Sequence, residues 1–178
     1  MTCIHSFPPL SAPGATILIL GTMPGVASLA ASQYYAHPRN AFWHMIEAVL
    51  DIPLTLPYEE RCRRVVARNI AVWDVLKTCT RSGSLDSAIE KDSIVTNDFA
   101  GFFAQHPHIQ LICLNGTKAA EVWRRHIVPD LPPAIAAVPT QRLPSTSPAH
   151  AGMPLATKIA RWREALKPAA GSINKEHS

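Results

Sequence analysis

The chain has 178 residues, of which 47% are hydrophobic and 17% are charged, and its net charge at pH 7 is +4. This apolar content is sufficient for a folded core and excludes a chain that is disordered throughout. The apolar runs are far shorter than the roughly 18 residues of a membrane span, and residues 1–13 lack the basic and apolar regions of a signal peptide. We therefore expect a cytoplasmic protein that makes no contact with a membrane.

Apolar runs alternate with helical patterns along the chain. In the first half, the sequence predicts a strand at residues 15–20, a tight loop at 21–25, a helix opening at Asn40, a helix at 58–68, a strand at 70–76 and a loop at 77–86. In the second half, it predicts helices at 96–105, 117–126 and 155–166, a strand at 109–114 and a weaker strand at 135–138. Residues 1–167 are predicted to form a single domain and residues 168–178 a disordered tail.

This order of elements predicts an α/β fold with three layers, α/β/α, around a central, mostly parallel four-stranded sheet. Ligands of such sheets bind at the carboxyl ends of the strands. Polar loops follow three of the predicted strands, at residues 21–25, 115–116 and 145–150. We expect these loops to converge at one edge of the sheet.

Cysteine spacing and loop motifs argue against a bound metal and against common cofactors. The four cysteines form no CxxC pair, and His106 and His108 have no clustered cysteine or acid that would complete a metal site. The glycine-rich fingerprints of dinucleotide-binding and P-loop proteins are absent from the sequence. We expect no metal, no cofactor and a monomer, and the mild positive charge permits a polyanionic partner.

Three segments carry motifs: GTMPG at residues 21–25, YAHPRNAFW at residues 35–43 and LPSTSPA at residues 143–149. The first two together resemble the first motif of the uracil-DNA glycosylase superfamily, and the third resembles its second motif. WDVL at residues 73–76 and GSLD at residues 83–86 are similar to the hypoxanthine-DNA glycosylase branch. The resemblance spans roughly residues 17–163 and implies an enzyme that removes a deaminated base from single- or double-stranded DNA.

One position departs from the pattern of the superfamily. Its members usually have Asn or Asp at the third position of the first loop, where the side chain orients or activates the attacking water, whereas this chain has Met23. A thioether cannot do that work. The hypoxanthine branch similarly lacks this residue, and its catalytic asparagine corresponds to Asn40. Without the resemblance, Asn40 could equally be read as a helix cap, because asparagine is a preferred N-cap residue.

The resemblance also assigns the surroundings of the reacting bond. Tyr35 falls where the base-stacking aromatic lies. The base pocket is assigned to Gly21, Thr22, Met23, Pro24 and Asn115, and contacts with DNA to His37, Arg39, Ser145, Thr146, Ser147 and His150. The residues alone leave other interpretations open for some of them: Asn115 as a turn residue, the serines as caps, and His37 as a residue that rigidifies the loop.

The resulting hypothesis is a monofunctional DNA glycosylase of base excision repair that hydrolyses the glycosidic bond of deoxyinosine and leaves an abasic site. A uracil or mismatch-specific glycosylase is the alternative within this chemistry. Met23 and the small Ala149, which stands at the usual wedge position, are also compatible with a catalytically weak DNA-binding relative. An enzyme that acts on free nucleosides is a further alternative from a different class. Asp74 interrupts an apolar strand, and we expect a structural role, in which it anchors the loop at residues 81–86, in preference to a catalytic one.

Overall fold

The computed structural model describes residues 2–170. The strands are β1 (Thr2–His5), β2 (Ile17–Gly21), β3 (Ile70–Asp74), β4 (Leu76–Arg81), β5 (Val95–Thr96), β6 (Leu111–Asn115) and β7 (Thr140–Leu143). The helices are α1 (Val26–Ala31), α2 (Phe42–Leu50), α3 (Tyr58–Ala67), α4 (Phe99–Gln105), α5 (Thr117–Val122), α6 (Pro133–Ala136) and α7 (Leu155–Ala170).

Four strands form the central sheet in the order β3-β2-β6-β7, and every pairing within it is parallel. Strands β2 and β3 are buried along their whole length, as expected for a parallel sheet covered on both faces. The predicted α/β fold with a parallel four-stranded sheet is therefore confirmed.

Side chains alternate between the two faces of the sheet, so each face has its own apolar cluster. Ile17 and Ile19 of β2 pack with residues of α2, α3 and α7. Leu18 and Leu20 of the same strand pack with residues of α4, α5 and β4. The sheet thus forms the middle of three layers, with its strand ends left to carry loops.

A second sheet was not anticipated. β1, β4 and β5 form a small antiparallel sheet, so the predicted loop at residues 77–86 begins as a strand. The predicted strand at residues 70–76 is in fact two strands separated at Val75. Polar residues alternate along β4, which is half-covered and lacks the continuous apolar run of a central strand.

The predicted strand at residues 135–138 is wrong, because this part of the chain contains α6 and the fourth strand is β7 instead. Pro133 at the start of α6 has its backbone preset for a first helical turn. β7 lies at the edge of the sheet, and Thr140, Gln141 and Arg142 are exposed. An exposed edge strand needs no apolar run, so its sequence carries little strand signal.

Helix α7 also runs beyond the predicted end of the domain. Residues 168–170 belong to it although they were predicted to be disordered, and the rest of that predicted tail, residues 171–178, lies outside the described residues. Leu166 and Ala169 are almost completely buried in the first apolar cluster. Their packing holds the last turn despite Pro168, because tertiary contacts override a local helix-breaking signal.

Candidate active site

The loops at the carboxyl ends of the parallel strands enclose a cleft of about 660 Å³. Every site residue predicted from the sequence lines it: Gly21, Thr22, Met23, Pro24, Tyr35, His37, Arg39, Asn40, Asn115, Ser145, Thr146, Ser147 and His150. The expected convergence of three loops at one sheet edge is therefore confirmed. The volume is of the size that accommodates a small organic group such as a nucleobase.

Asn40 lies two residues before the first residue of α2 and lines the cleft. Its Oδ1 accepts a hydrogen bond from the Phe42 backbone N–H at 2.9 Å. The neighbouring Ala41 N–H donates to the Thr146 carbonyl oxygen at 2.9 Å, which ties this helix start to the second motif. Asn40 therefore caps the helix, while its Nδ2 group forms no hydrogen bond with any other described residue and remains available to a ligand or water.

Tyr35 is held in a backbone conformation that is unusual for an aromatic residue, with φ of 55°. Its ring stacks on Phe42 with centroids 4.0 Å apart and an interplanar angle of 20°. Its Oη accepts a hydrogen bond from Asn115 Nδ2 at 3.3 Å. Burial and the nearby Asp74 raise the pKa of Tyr35, so the phenol is neutral at physiological pH. These contacts present a rigid aromatic ring to the cleft.

The amide of Asn115 is engaged inside the protein. Its Nδ2 donates to Thr146 Oγ1 at 3.0 Å and to Tyr35 Oη, and its Oδ1 accepts from the Thr146 backbone N–H at 3.0 Å. Thr146 is 1% exposed, so its hydroxyl is not presented to a DNA backbone. The pair joins the end of β6 to the second motif, and Asn115 Oδ1 accepts no second hydrogen bond from the described residues.

The second motif is shaped by its own serines. Ser145 Oγ accepts from the Ser147 N–H at 3.2 Å, and Ser147 Oγ accepts from the Ala149 N–H at 3.3 Å. Both serines therefore stabilise turns, which was the alternative interpretation of them, and both also line the cleft.

A buried lysine that was not predicted from the sequence stabilises the loop of the second motif. Lys158 of α7 is 6% exposed, and its Nζ donates to the carbonyl oxygens of Ser145 at 2.8 Å and His150 at 2.6 Å. Burial lowers the pKa of Lys158. The available sequence signal was its helical position, one turn before the buried Trp162, where a charged side chain requires polar partners.

The first motif is organised by its own backbone contacts and by a buried arginine. His37 Nδ1 accepts from the Arg39 N–H at 3.1 Å, so His37 does rigidify the loop, and the exposed Arg39 side chain lies at the cleft rim. Arg81 is 3% exposed and donates through Nη2 to the Pro24 carbonyl oxygen at 2.5 Å and through Nε to that of Gly83 at 2.9 Å.

Arg81, rather than Asp74, thus anchors the loop at residues 81–86, and the expectation for Asp74 is wrong. The carboxyl of Asp74 instead faces the cleft. Burial, and secondarily the nearby Asp86, raise the pKa of Asp74 to about 7, while Arg81 opposes the shift. A Cβ on Gly21 would lie 2.6 Å from Asp74 Oδ1, so glycine is required there by the close approach of this acid.

Known proteins share this architecture and sequence. The family model of the uracil DNA glycosylase superfamily matches residues 8–167. This chain belongs to the uracil-DNA glycosylase superfamily.

Two relatives named hypoxanthine DNA glycosylase, from Methanosarcina acetivorans and Methanosarcina barkeri, are 38% and 34% identical over 118 residues, which is 66% of this chain and 73% of each relative. A solution NMR structure of a candidate uracil DNA glycosylase from Methanosarcina acetivorans matches this chain with a TM-score of 0.74 and 31% sequence identity. The match covers 92% of this chain and 98% of the NMR structure.

Within this superfamily fold, Met23 contributes no polar group to the cleft. It is 7% exposed and belongs to the apolar cluster that also contains Trp73 and Leu20. Thr22, Asp74 and Asn40 carry polar side chains in the lining of the same cleft.

The described residues were also compared with the requirements of a metal site and of a membrane-spanning helix. Among residues 2–170, no cluster of three or more His, Cys, Asp or Glu side chains is arranged to hold a metal ion. The helices within the same residues are too short or too polar to cross a membrane.

Proposed function

We propose that this protein is a DNA glycosylase that hydrolyses the N-glycosidic bond of deoxyinosine and releases hypoxanthine. The observation that carries the proposal is the position of Asn40, which lines the same cleft as Tyr35, while the third position of the first loop is the apolar Met23. The names of the two Methanosarcina relatives support the same substrate. A site with this composition has a base-stacking ring and one water-orienting amide, as hydrolysis of a flipped nucleotide requires.

In the proposed reaction, the target nucleotide leaves the duplex and its base stacks on Tyr35. The bond between the sugar C1′ and the base nitrogen breaks, and its electron pair departs with the base. Asn40 holds a water molecule, whose oxygen adds to the oxocarbenium-like C1′ and whose proton leaves to solvent. An amide orients water and does not deprotonate it, so bond breaking runs ahead of water attack.

The cleft rim provides contacts for the flanking DNA. Arg39 is exposed beside the first motif, and the side chains of His150 and the two turn serines lie along the second. A guanidinium pairs with phosphate through paired N–H donors. Because the serine hydroxyls accept hydrogen bonds within the loop, they retain their own O–H donors for phosphate oxygens.

We expect the wild-type protein to release hypoxanthine well above uracil in matched sequence contexts. A purine is larger than uracil, and an apolar Met23 leaves the first loop without the amide that serves uracil enzymes. The measurement is the single-turnover rate on inosine and uracil duplexes, read as strand scission after alkaline treatment. Uracil release as fast as hypoxanthine release would support the uracil-directed alternative, and absence of both would support a DNA-binding relative.

The Met23→Asn variant tests whether this position sets the preference. We expect the uracil-to-hypoxanthine rate ratio to rise, because the substitution restores a water-holding amide. The amide also enters an apolar cluster, so stability should fall by about 1–3 kcal/mol. The ratio is therefore measured well below the thermal midpoint of the variant, and an unchanged ratio would remove Met23 as the cause of the preference.

A further inference from the structure

The Asp74 carboxyl is a buried acid inside the cleft that the reaction outlined above does not use. Asp74 ends β3 and pairs in register with Gly21, the residue that opens the first motif. It is 4% exposed, and its Oδ2 is buried without a hydrogen-bond partner among the described residues. A buried carboxyl oxygen without a partner is rare in folded proteins and requires an explanation, of which a role in catalysis is one.

The surroundings of this carboxyl place it against the base pocket. Asp74 Oδ1 and Tyr35 Oη lie 2.6 Å and 2.9 Å, respectively, from the point where a Gly21 Cβ would stand. The acid therefore shares the space above Gly21 with the hydroxyl of the proposed stacking residue. Its backbone is fixed as well, because Asn97 Nδ2 donates to the Asp74 carbonyl oxygen at 2.8 Å. The carboxyl is thus held rigidly beside any base stacked on Tyr35.

The charged and titratable neighbours favour the neutral acid. Asp86 adds negative charge, and the buried phenols of Tyr34 and Tyr35 are neutral because burial raises the pKa of each. Arg81 is the cation that faces this group from β4, and its guanidinium is 3.9 Å from Asp86 and donates to two backbone carbonyls. With a pKa raised to about 7, Asp74 is protonated below neutral pH and retains its proton in a large share of molecules near pH 7.

We propose that the neutral Asp74 carboxyl donates a hydrogen bond to the departing base, a role that rests on the proposed glycosylase function. Hypoxanthine has ring nitrogens and a carbonyl oxygen that accept such a bond. When the bond to C1′ breaks, its electron pair enters the base, and a donor at Asp74 stabilises the negative charge that develops there. An ionised Asp74 has no proton to donate and repels the leaving group.

The test compares the single-turnover rate on an inosine duplex against pH for the wild type, Asp74→Asn and Asp74→Ala. We expect the wild-type rate to fall as pH rises above about 7, because ionisation removes the donor. Asp74→Asn keeps an N–H donor that does not titrate, so it should remain within about 10-fold of the wild type and lose that alkaline decline. Asp74→Ala should be slower than the wild type by about 10² or more below pH 7, and this difference should shrink as the pH rises, because the ionised wild-type carboxyl has lost the same donor.

The opposite pattern overturns the proposal. If Asp74→Asn is as slow as Asp74→Ala and the wild-type rate rises with pH, Asp74 is a base acting on water. If both variants match the wild type, Asp74 takes no part in the reaction. A wild-type protein that releases no hypoxanthine contradicts the proposed function instead, whatever the variants do.

Thermal unfolding provides the folding control for this comparison. Because the folded state raises the pKa of Asp74, wild-type stability should decrease as pH rises from about 4 to about 7. Asp74→Asn should remove this dependence and unfold at or above the wild-type midpoint at pH 8. A merely structural role would move these midpoints without changing the pH profile of the rate.

A second, independent feature is an exposed leucine at the mouth of the cleft. A β-bridge between Arg81 and Ile89 closes the loop at residues 82–88, and Leu85 lies at its centre. Leu85 is 55% exposed and lines the cleft. The loop is held in place because Ser84 Oγ accepts from the Val26 N–H at 2.9 Å. A rigid loop therefore presents one bulky apolar side chain at the cleft entrance.

We infer that Leu85 enters the duplex at the position from which the target nucleotide has flipped out. Leucine is among the apolar side chains that proteins insert between base steps. Among the described residues, Leu85 is the only exposed large apolar side chain in the cleft lining, since the second motif offers the small Ala149 there. Insertion of Leu85 would fill the vacated stack and slow the return of the base.

Leu85→Ala tests this inference with single- and double-stranded inosine substrates. We expect release from the duplex to fall by about 10-fold or more, since the vacated stack is left open, and release from single-stranded DNA to remain within about twofold. Leu155→Ala is the matched control, because that leucine is 46% exposed and lies outside the cleft lining. Equal losses on both substrates, or no loss on either, would overturn the wedge. Wild-type inactivity on both substrates would instead count against the proposed function.

Discussion

Asn40→Ala should lower the single-turnover rate of hypoxanthine release by about 10² or more, by analogy with the loss of one transition-state contact. The Asn40 amide faces the cleft with its Nδ2 group available, and no other amide among the described residues is presented there in the same way. Affinity for inosine-containing DNA should be nearly unchanged, because flanking contacts and base stacking remain. The measurement pairs single-turnover kinetics with DNA binding.

The capping contact of Asn40 requires its own control. Loss of the bond from the Phe42 N–H to Asn40 Oδ1 should cost about 1 kcal/mol of stability. Asn40→Ser retains a side-chain oxygen that can cap α2 but lacks the amide, so it should be nearly as stable as the wild type and as slow as Asn40→Ala. If Asn40→Ala loses stability while cleavage survives, Asn40 is only a cap and the catalytic assignment fails.

Tyr35→Ala should cost about 1–3 kcal/mol in binding or transition-state stabilisation, which is the contribution of one base–aromatic stack. The Tyr35 ring is held against Phe42, and substitution by alanine removes both this contact and the surface on which a base would stack. Binding of inosine-containing DNA and single-turnover rates measure the loss. Tyr35 also sits at positive φ, and alanine is strained there to a similar degree, so backbone strain does not distinguish the variants.

Tyr35→Phe separates the ring from the hydroxyl. It keeps the stacking surface and removes only the acceptor of the 3.3 Å bond from Asn115 Nδ2. We expect a mild effect, since that amide also donates to Thr146 Oγ1. Equal damage from Tyr35→Phe and Tyr35→Ala would show that the hydroxyl is the important group, and the stacking role would be wrong.

Local patterns in the sequence predicted the layers and the place of the site. The runs ILIL and LICL are buried strands because continuous apolar residues suit a sheet covered on both faces. The period of Phe42, Met45, Ile46 and Val49 predicted the buried face of α2. Parallel strands bring their carboxyl ends to one edge, so the strand order was enough to bring the first and second motifs together.

Elements stabilised by their neighbours rather than by their own pattern were missed. β1 pairs with β4 across most of the N-terminal half of the chain, and β7 is exposed along most of its length. α6 has only four residues, and the Pro132-Pro133 pair at its start is typical of a loop in sequence. Such elements owe their stability to pairing and packing, because their own sequences carry only weak propensity.

The motifs in the sequence were enough to predict thirteen residues that line the cleft, whereas Asp74 and Leu85, which lie outside the predicted site, were found there only in the structure. The tertiary structure alone decided what the charged residues do. Arg81 reaches Pro24 from 57 positions away, and Lys158 reaches Ser145 from 13 positions away. The pKa of Asp74 rises to about 7 only because the folded protein removes water from the carboxyl and places Asp86 nearby. Desolvation and nearby charges depend on segments that are far apart in the chain, so a local pattern of residues cannot predict their effect on a pKa.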